Sequence, residues 1–389
     1  MIRSVKQKKT SYLIKVKMAN IIQRLFRFSS IFKVASLISY GAMVLCYLAP
    51  FIHPKTLSIL PFFGLLYPVL LAINLGWLLL WGLARSKWGI YTLIVLGLGG
   101  KMHFRSLAFS SSSPADPSGI KVLTYNVRLF DLFNPSFSKS IENRNKIFDY
   151  IRRTDPDVLC LQEYYRQDKP TDFEVVDSLF SIMGNRNYHE RSAHKRSTRQ
   201  NYGIAMFSKY PIIAKGDVMF ESQGSSDFNY CIYADIIKNQ DTFRVYNVHL
   251  QSIRLHTEPN IEAATDEEGM ASERALRSVF SKLRLAYVKR AEQARRVVEH
   301  IKTSPYPVIV CGDFNDTPMS YTYNQFNRFL KDAFRQSSSG IGSTYIGRLP
   351  AGRIDYLFYD PRLTTTGFNI QKEEFSDHRA LVCTFSRVK

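Results

Sequence analysis

The chain has 389 residues, of which 45% are hydrophobic and 13% aromatic, so it can bury a sizeable core and is not a disordered polypeptide. Its formal net charge of +19 is uneven: the first 118 residues hold 14 Lys and Arg against one acidic residue, and the remainder holds 38 against 32. The five cysteines lie in apolar stretches without a CxxC pair, which excludes a disulfide framework as the source of stability.

The N-terminal region has the pattern of membrane helices. Residues 1–33 contain nine Lys and Arg and no acidic residue, and two uncharged apolar stretches follow at 34–52 and 57–84. About twenty apolar residues span a bilayer, so each stretch predicts a transmembrane helix. We therefore expect a basic cytoplasmic tail over 1–33 and a membrane region over 34–109.

The number of crossings decides where the rest of the chain lies. Residues 88–100 are uncharged, but Lys101, His103 and Arg105 follow, so this segment is either a third transmembrane helix or an interfacial helix. Three crossings would export the C-terminal part, whereas two would keep it in the cytoplasm. We predict a multi-pass protein of the inner membrane with an extracytoplasmic C-terminal domain, and a cytoplasmic domain is the alternative.

Residues 110–118 (SSSSPADPS) predict a short Ser/Pro linker, and a C-terminal domain follows over 119–389. Its short apolar runs are mixed with helical patterns, which indicates an α/β sandwich and not a barrel or a bundle. Strands are predicted at 121–127, 157–162, 202–208, 229–237, 242–250, 306–314, 353–359 and 379–385, and helices near 140–153, 172–183, 273–302 and 319–332. The acidic stretch 257–269 predicts a surface insertion.

Polar side chains stand at the ends of these apolar runs, where a sheet can bring them into one cleft. They are Asn126, Glu163, His249, Asp313, Asn315, Asp355, Asp377 and His378. Asp313 and Asn315 are two residues apart in an extended segment, so they face the same side. Each residue alone has an ordinary explanation as a turn former, a strand cap or a surface pair, so it is their joint occurrence that indicates a catalytic site.

The C-terminal domain resembles the endonuclease/exonuclease/phosphatase superfamily. The resemblance rests on an ordered series of motifs: YNVRLFD, LQE, YGIAMFSKYPI, YNVHLQS, VCGDFND, IDYLF and SDHRAL. It implies a four-layer α/β sandwich, in which two mixed β-sheets are flanked by helices and the site lies at one edge. It also implies an Mg²⁺-dependent hydrolase of phosphate esters.

The resemblance assigns a metal-binding role to three of the polar residues. Glu163 corresponds to the main Mg²⁺-binding carboxylate, and Asn126 supports it. Asp377 corresponds to a second metal-side or structural carboxylate. A sparse set of oxygen ligands suits Mg²⁺, which keeps several waters, and Mn²⁺ is the expected substitute.

The other five residues correspond to the groups that carry out the reaction. Asp313 and Asn315 correspond to the pair that positions the attacking water and the phosphate, and Asp355 to the carboxylate that orients the essential His378. His249 corresponds to the residue that stabilises the transition state or the leaving group. Both Asp313 and His378 remain candidates for the general base.

Three interpretations of the substrate remain open. The first interpretation is an endonuclease or exonuclease, which would place basic residues around the cleft. The candidates, each of which could equally be a solvated loop residue, are Arg128, Arg166, Arg191, Lys195, Arg196, Arg199 and Lys209. A phospholipid or sphingolipid phosphodiesterase would suit a membrane anchor and predicts an exposed apolar lip, for which Phe130, Leu132 and Phe133 are candidates, although the same residues are equally consistent with the core. An inositol-phosphate phosphatase is a further alternative. A non-catalytic binding module is the third interpretation. No obligate protein partner is predicted.

Overall fold

The computed structural model describes residues 30–111, 113–195, 199–220, 229–252, 273–347 and 352–388, with only the backbone at 194–195 and 273–276. Most of the predicted basic tail, the predicted acidic insertion and Arg196 therefore lie outside the described residues. The domain boundaries of the sequence analysis remain predictions.

The N-terminal part is helical. It contains α1 (Ser30–Leu48), α2 (Leu60–Leu65), α3 (Tyr67–Leu83) and α4 (Trp88–Gly99), followed by a 3-10 turn (Gly100–Arg105). The stretch 57–84, predicted as one transmembrane helix, is divided between α2 and α3. Pro68 lies in the first turn of α3, where its missing N–H is tolerated, whereas inside one continuous helix it would remove a hydrogen bond. Among the described residues, α1 alone is long and apolar enough to cross a bilayer, by length and composition.

Helices α1, α3 and α4 form a bundle with a partly polar interior. Its hydrogen bonds join the Trp81 indole to Ser36 (3.1 Å), Ser39 to Asn74 (3.4 Å) and Tyr40 to Thr92 (2.5 Å). Large apolar side chains lie on the outside, among them Leu37, Ile38, Leu79, Ile94 and Leu98. The bundle therefore places polar groups inside and apolar groups outside.

The C-terminal part is a sandwich of two six-stranded mixed sheets. The elements that follow the helical region are β1 (Ala108–Phe109), β2 (Ile120–Asn126), α5 (Phe137–Thr154), β3 (Val158–Gln167), α6 (Val176–Met183), β4 (Asn187–Lys195), β5 (Gln200–Ser208), β6 (Ile212–Asp217), β7 (Tyr230–Lys238), β8 (Asp241–His249), α7 (Glu273–Lys302), β9 (Val308–Asp313), α8 (Tyr321–Asn327), β10 (Lys331–Asp332), α9 (Ala333–Ser337), β11 (Ser339–Gly340), β12 (Asp355–Tyr359), β13 (Leu363–Ile370) and β14 (Leu381–Arg387). One sheet has the strand order β13-β14-β2-β3-β5-β4 and the other β10-β12-β9-β8-β7-β6.

Three apolar clusters hold the layers together. The central cluster lies between the sheets and includes Val122, Met206, Val245 and Cys311. Helices α5 and α6 pack on the outer face of the first sheet, and α7 and α8 pack on that of the second. These layers confirm the predicted α/β sandwich. All five cysteines are buried and free, as the sequence indicated.

The segment predicted as a linker is bound along the sandwich. Strand β1 pairs with β11, and the Gly367 N–H donates to the Ser113 carbonyl at 2.8 Å. The Asp116 N–H donates to Thr366 Oγ1 at 3.0 Å, and Ser386 donates to the Asp116 carboxylate at 2.7 Å. The chain between the helices and β2 is therefore held in place by hydrogen bonds.

Candidate active site

A parallel pair of strands in each sheet delivers the predicted site residues. β2 lies parallel to β3 in one sheet, and β8 lies parallel to β9 in the other. Since parallel strands end at the same edge, Asn126, His249 and Asp313 all lie at one edge of the sandwich. Asp355 opens β12, which runs antiparallel to β9, and pairs in register with Asp313.

Glu163 reaches this edge through an irregularity in β3. The register with β5 shifts between Leu161 and Tyr164, and Glu163 has a positive φ of 45°. Such an irregularity re-aims a side chain, and about a third of the Glu163 side chain (34%) is exposed. The Asn126 amide donates to a Glu163 oxygen at 3.3 Å and to an Asp313 oxygen at 3.0 Å, so one side chain joins the two sheets.

Asp313 is a buried carboxylate surrounded by donors. Its Oδ1 accepts from the Asn315 backbone N–H at 2.8 Å, and its Oδ2 accepts from the Asn315 side-chain amide at 3.2 Å. Nε2 of His249 lies 3.7 Å and Nε2 of His378 lies 3.8 Å from Oδ2. Burial raises the pKa of Asp313 to about 6, although the two histidines oppose the rise. Asp313 is therefore ionised at neutral pH.

Gly312 allows the backbone of β8 to come close beside Asp313. Its φ is 136°, a conformation that residues with a side chain rarely adopt. A Cβ atom at this position would lie 1.9 Å from the Val248 carbonyl oxygen. A glycine is therefore required for this strand pairing.

His378 and Asp355 form a buried hydrogen-bonded pair. Nδ1 of His378 donates to the two Asp355 oxygens, at 3.0 and 3.1 Å. Thr344 fixes the start of β12, because its Oγ1 accepts from the Asp355 N–H at 3.1 Å. Burial lowers the pKa of His378, but the carboxylates of Asp355 and Asp313 outweigh it and raise the pKa to about 10. His378 is therefore an imidazolium at neutral pH.

Asp377 lies beside this pair in an irregular segment, as expected from Ser376. The Ser376 hydroxyl lies 2.9 Å from the Asn126 carbonyl oxygen and 3.3 Å from an Asp377 oxygen. Arg128 Nε lies 3.8 Å from the other Asp377 oxygen. The Asp377 side chain is 29% exposed, so it faces the cleft opening and is not part of the buried network.

Two groups of side chains have ligand atoms for a divalent ion. In the buried group, the ligand atoms of Asp313, Asp355 and His378 lie within 4.8 Å of one another. An imidazolium has no lone pair to give to a metal, so this group is a hydrogen-bonded charge network. The second group is Glu163 with Asn126 and Asp377. Glu163 and Asp377 are partly exposed and offer carboxylate oxygens, which fits a hard cation such as Mg²⁺. Asn126 supports Glu163 through its amide N–H, while its Oδ1 accepts from the Arg128 N–H at 3.0 Å. Burial raises the pKa of Glu163, and the Asp377 charge adds to the rise.

A buried amide network behind the site was not predicted from the sequence. Gln162 Nε2 donates to Asn247 Oδ1 at 2.6 Å and to Thr124 Oγ1 at 3.0 Å. Asn247 Nδ2 donates to the carbonyls of Leu161 and Ala205 at 3.0 and 2.9 Å. The network ties the sheets together just below the cleft. Gln162 and Asn247 are polar residues inside the apolar runs that contain LQE and YNVH, and this pattern could have predicted the network.

A left-handed turn follows Asn126 at the rim of the site. Four consecutive residues have φ between 45° and 58°: Arg128, Leu129, Phe130 and Asp131. L-residues lose about 1–2 kcal/mol each in this conformation. The turn buries Phe130 completely and leaves Arg128 exposed next to Asp377. Tertiary packing therefore maintains a locally unfavourable backbone at the cleft.

The predicted apolar lip is only partly present. Phe130 is fully buried against Phe148 and Tyr164, so of the two alternatives for this residue the structure supports the core and not the lip. Leu132 is half-buried and packs against the same core. Phe133 is 74% exposed.

Several of the basic side chains predicted to contact phosphate form ion pairs with acidic side chains of the protein. The ion pairs join Arg166 to Glu190, Arg191 to Asp217 and Lys209 to Asp155. Arg199 donates to the Lys169 carbonyl at 3.2 Å. The side chains of Lys195 and Arg196 lie outside the described part of the chain. Arg128 is the predicted cation that the structure places at the cleft itself.

Comparison with known proteins identifies related sequences and structures. The model of the endonuclease/exonuclease/phosphatase family matches residues 123–378, and that of a domain of unknown function matches residues 29–106. The carbon catabolite repressor protein 4 homolog 3 of Arabidopsis thaliana is 26% identical over 205 residues, which are 52% of this chain and 38% of the relative. The chain thus spans well under half of that relative.

Two solved structures superimpose on this chain. An endonuclease/exonuclease/phosphatase from Beutenbergia cavernae superimposes with a TM-score of 0.50 at 17% identity, covering 69% of this chain and 72% of that one. A family protein from Leptotrichia buccalis gives a TM-score of 0.48 at 16% identity, covering 69% of this chain and 99% of that one.

Proposed function

Because this chain belongs to the endonuclease/exonuclease/phosphatase family, whose members are metal-dependent phosphoester hydrolases, we propose that it is a membrane-anchored phosphodiesterase with nucleic acid as its first substrate class. One observation carries this proposal. The His378–Asp355 pair, the buried Asp313 and the partly exposed Glu163 lie together at one edge of the sandwich.

Glu163, Asn126 and Asp377 would hold the divalent ion, with Mg²⁺ as the natural ion and Mn²⁺ as a substitute. When bound there, the ion supplies positive charge to the phosphoryl oxygens of the substrate. Asn126 serves both halves of the site, because its amide also donates to Asp313.

Asp313 is the better candidate for the general base. Its pKa of about 6 leaves it ionised at neutral pH and close enough to that pH to accept a proton from water. His378, with a pKa raised to about 10, already carries its proton and cannot accept another. Asn315 supports this role, since its backbone and side-chain N–H groups both hold the Asp313 carboxylate.

The two histidines would stabilise charge in the transition state. His378 presents a protonated Nε2 toward Asp313 and the cleft, while Asp355 fixes its orientation through Nδ1. His249 Nε2 lies 4.0 Å from Glu163 and 3.7 Å from Asp313, so it faces the same space. Preformed donors aimed at developing negative charge are a major source of rate enhancement.

The substrate class rests on the surroundings of the cleft. Arg128 at the rim offers a contact for a phosphate of nucleic acid. A lipid phosphodiester is the second candidate, because the exposed Phe133 and the apolar outer face of the bundle suit a membrane surface. A non-catalytic role is disfavoured, since all eight predicted polar residues lie at one edge of the sandwich.

The helical region supports a membrane anchor and an exported catalytic domain. Lipid-exposed helices carry apolar residues outside and hydrogen-bonded polar residues inside, which is the pattern of this bundle. The ends of the bundle at Pro50 and Arg105 both contact Asn324 of the sandwich. The basic residues Arg85 and Lys87 lie between α3 and α4, toward the other end, and basic loops favour the cytoplasm.

A substrate panel tests the activity. The full-length protein in detergent is given plasmid DNA, RNA, sphingomyelin vesicles and inositol phosphates, with Mg²⁺ or with EDTA. We expect Mg²⁺-dependent cleavage of nucleic acid. Cleavage of lipid without cleavage of nucleic acid would transfer the proposal to the second candidate, and cleavage that persists in EDTA would contradict a metal-dependent site.

A reporter fused after Lys389 tests the topology. We expect a periplasmic reporter to be active and a cytoplasmic reporter to be silent. The reverse result would place the catalytic domain in the cytoplasm.

A further inference from the structure

The helical region packs against the chain segment that follows the site strand β9. Met319 lies six positions after Asp313 and is buried in an apolar cluster with Met43, Cys46 and Tyr67. Gly64 of α2 lies directly against it, because a Cβ on Gly64 would lie 2.4 Å from the Met319 carbonyl oxygen. The helices therefore contact the backbone of a segment that begins in the site.

A buried amide joins two segments at one end of the bundle to the sandwich. Asn324 Nδ2 donates to the Pro50 carbonyl at 2.8 Å, and Arg105 Nη2 donates to Asn324 Oδ1 at 2.9 Å. Pro50 precedes α2, and Arg105 ends the helical region. Arg105 and Asn324 are both buried, so these bonds are shielded from water.

Arg353 links Arg105 to the segment that contains Asp355. Its Nη2 donates to the Arg105 carbonyl at 2.6 Å, and its Nη1 lies 2.8 Å from Asp332 Oδ2. The guanidinium lies 4.7 Å from the centre of the Tyr356 ring. Arg353 and Tyr356 flank Asp355 in the chain and are both buried. Because Arg353 is buried and its Nη2 donates to the Arg105 carbonyl, Arg105 helps to hold the residue that lies two positions before Asp355.

From these contacts we propose that the helical region is a positioning element for catalysis, which rests on the proposed function. The bundle holds Met319 and Arg353, and through them it holds Asp313 and Asp355 at the separation that the reaction requires. Arg353 is a positioning residue, since it acts through Asp355. Displacement of a catalytic group by about 1 Å can cost on the order of a hundredfold in rate, so a docked bundle would affect turnover without touching the substrate.

Two matched glycine variants of the full-length protein separate this role from anchoring. Gly64→Ala pushes α2 off the Met319 backbone, whereas Gly76→Ala on α3 meets nothing within 4 Å. We expect Gly64→Ala to lower kcat about tenfold or more with little change in KM, and Gly76→Ala to match the wild type. Equal kcat values in both variants would overturn the positioning role.

A double-variant cycle distinguishes positioning from general destabilisation. If Gly64→Ala acts through Asp355, it should have no further effect on the residual rate of Asp355→Asn. A full multiplicative loss in the double variant would contradict positioning. Arg353→Lys keeps the positive charge but loses the planar guanidinium that binds two partners at once, so it should lower kcat as Gly64→Ala does. Its control is Arg362→Lys, because the Arg362 side chain is 53% exposed where it pairs with Asp360.

Hydrogen exchange reports on the same coupling without any substrate. Peptides covering 353–359 should exchange faster in Gly64→Ala than in Gly76→Ala, while peptides of β4 should be equal in both. Unchanged exchange at 353–359 would overturn the coupling. A wild-type protein that cleaves none of the panel would refute the proposed function alone, and hydrogen exchange would still decide whether the bundle positions this segment.

Discussion

The bundle and the sandwich distribute polar groups in opposite ways. In the sandwich, the cluster between the sheets is mainly apolar, and a buried group of Asp313, Asp355 and His378 lies at one edge. In the bundle, Ser, Asn and Thr lie inside, and Leu and Ile lie outside. Both arrangements satisfy the rule that buried polar groups need partners. This difference is what we expect if, as proposed, the bundle faces lipid and the sandwich faces water.

Removing a polar group from the sandwich edge should have the largest effect. We expect Asp313→Ala and His378→Ala each to lower kcat at least about a hundredfold, the scale of an acid–base or charge-stabilising group. Asp241→Ala, which removes a half-exposed partner of Arg387 far along β8, is the control and should retain activity. Activity near the wild-type level in either site variant would contradict the assignment of the site.

A charge on the outside of the bundle tests the lipid-facing surface. Leu79 is 64% exposed, and Leu79→Lys should cost about 2.5–3.5 kcal/mol of membrane insertion if this face meets lipid. Ile213→Lys on the sandwich replaces a residue that is 50% exposed and should change stability by less than about 0.5 kcal/mol. The measurement is the fraction of each variant protein that stays in the membrane after alkaline extraction. Equal extraction of both variants would remove the contrast between the regions.

Two buried asparagines allow a direct comparison of polar interiors. Asn247→Ala removes one acceptor of Gln162 and the buried donor to the Leu161 and Ala205 carbonyls, so we expect a loss of about 2–3 kcal/mol. Asn74→Ala removes a hydrogen bond within the bundle, where such bonds average about 0.6 kcal/mol. Denaturant unfolding measures the first loss, and thermal inactivation in detergent measures the second. A larger loss for Asn74→Ala would reverse the expected order.

We expect the smallest effect on the rate from a change of pH within the neutral to mildly alkaline range. Between about pH 7 and pH 9, Asp313 is deprotonated and His378 is protonated, so the rate should change by less than about twofold. Below pH 6 the rate should fall, because Asp313 gains a proton and can no longer accept one from water. A pH–rate profile of kcat/KM measures this. A steep loss between pH 7 and pH 8 would mean that His378 loses its proton there.

The sequence predicted the parts of the fold that carry a local pattern. The strands that deliver Asn126 and Asp313 are apolar runs with a polar end, and the structure has both. Strand β4 was not predicted, because NYHERSAHK contains no apolar run and is held by its pairing with β5. The break at Leu66 was also missed, since hydropathy does not register where a helix stops.

The site followed from motifs, but its physical chemistry did not. Protonation of His378 depends on two carboxylates that come from distant strands, so no spacing rule reveals it. The contact of Arg353 with the Arg105 carbonyl joins residues 248 positions apart. Such contacts arise from tertiary packing, and periodicity within a segment carries no information about them.

The hydrogen-bonded segment that leaves the bundle has a consequence for how the enzyme meets its substrate. A free chain of nine Ser- and Pro-rich residues would let the domain sweep a radius of roughly 15–18 Å. Here β1 pairs with β11 within three residues of Arg105, and Asp116 is fastened near β14. If the helical region is the proposed membrane anchor, these hydrogen bonds hold the cleft at a fixed height and tilt above it, and substrate must diffuse to the cleft.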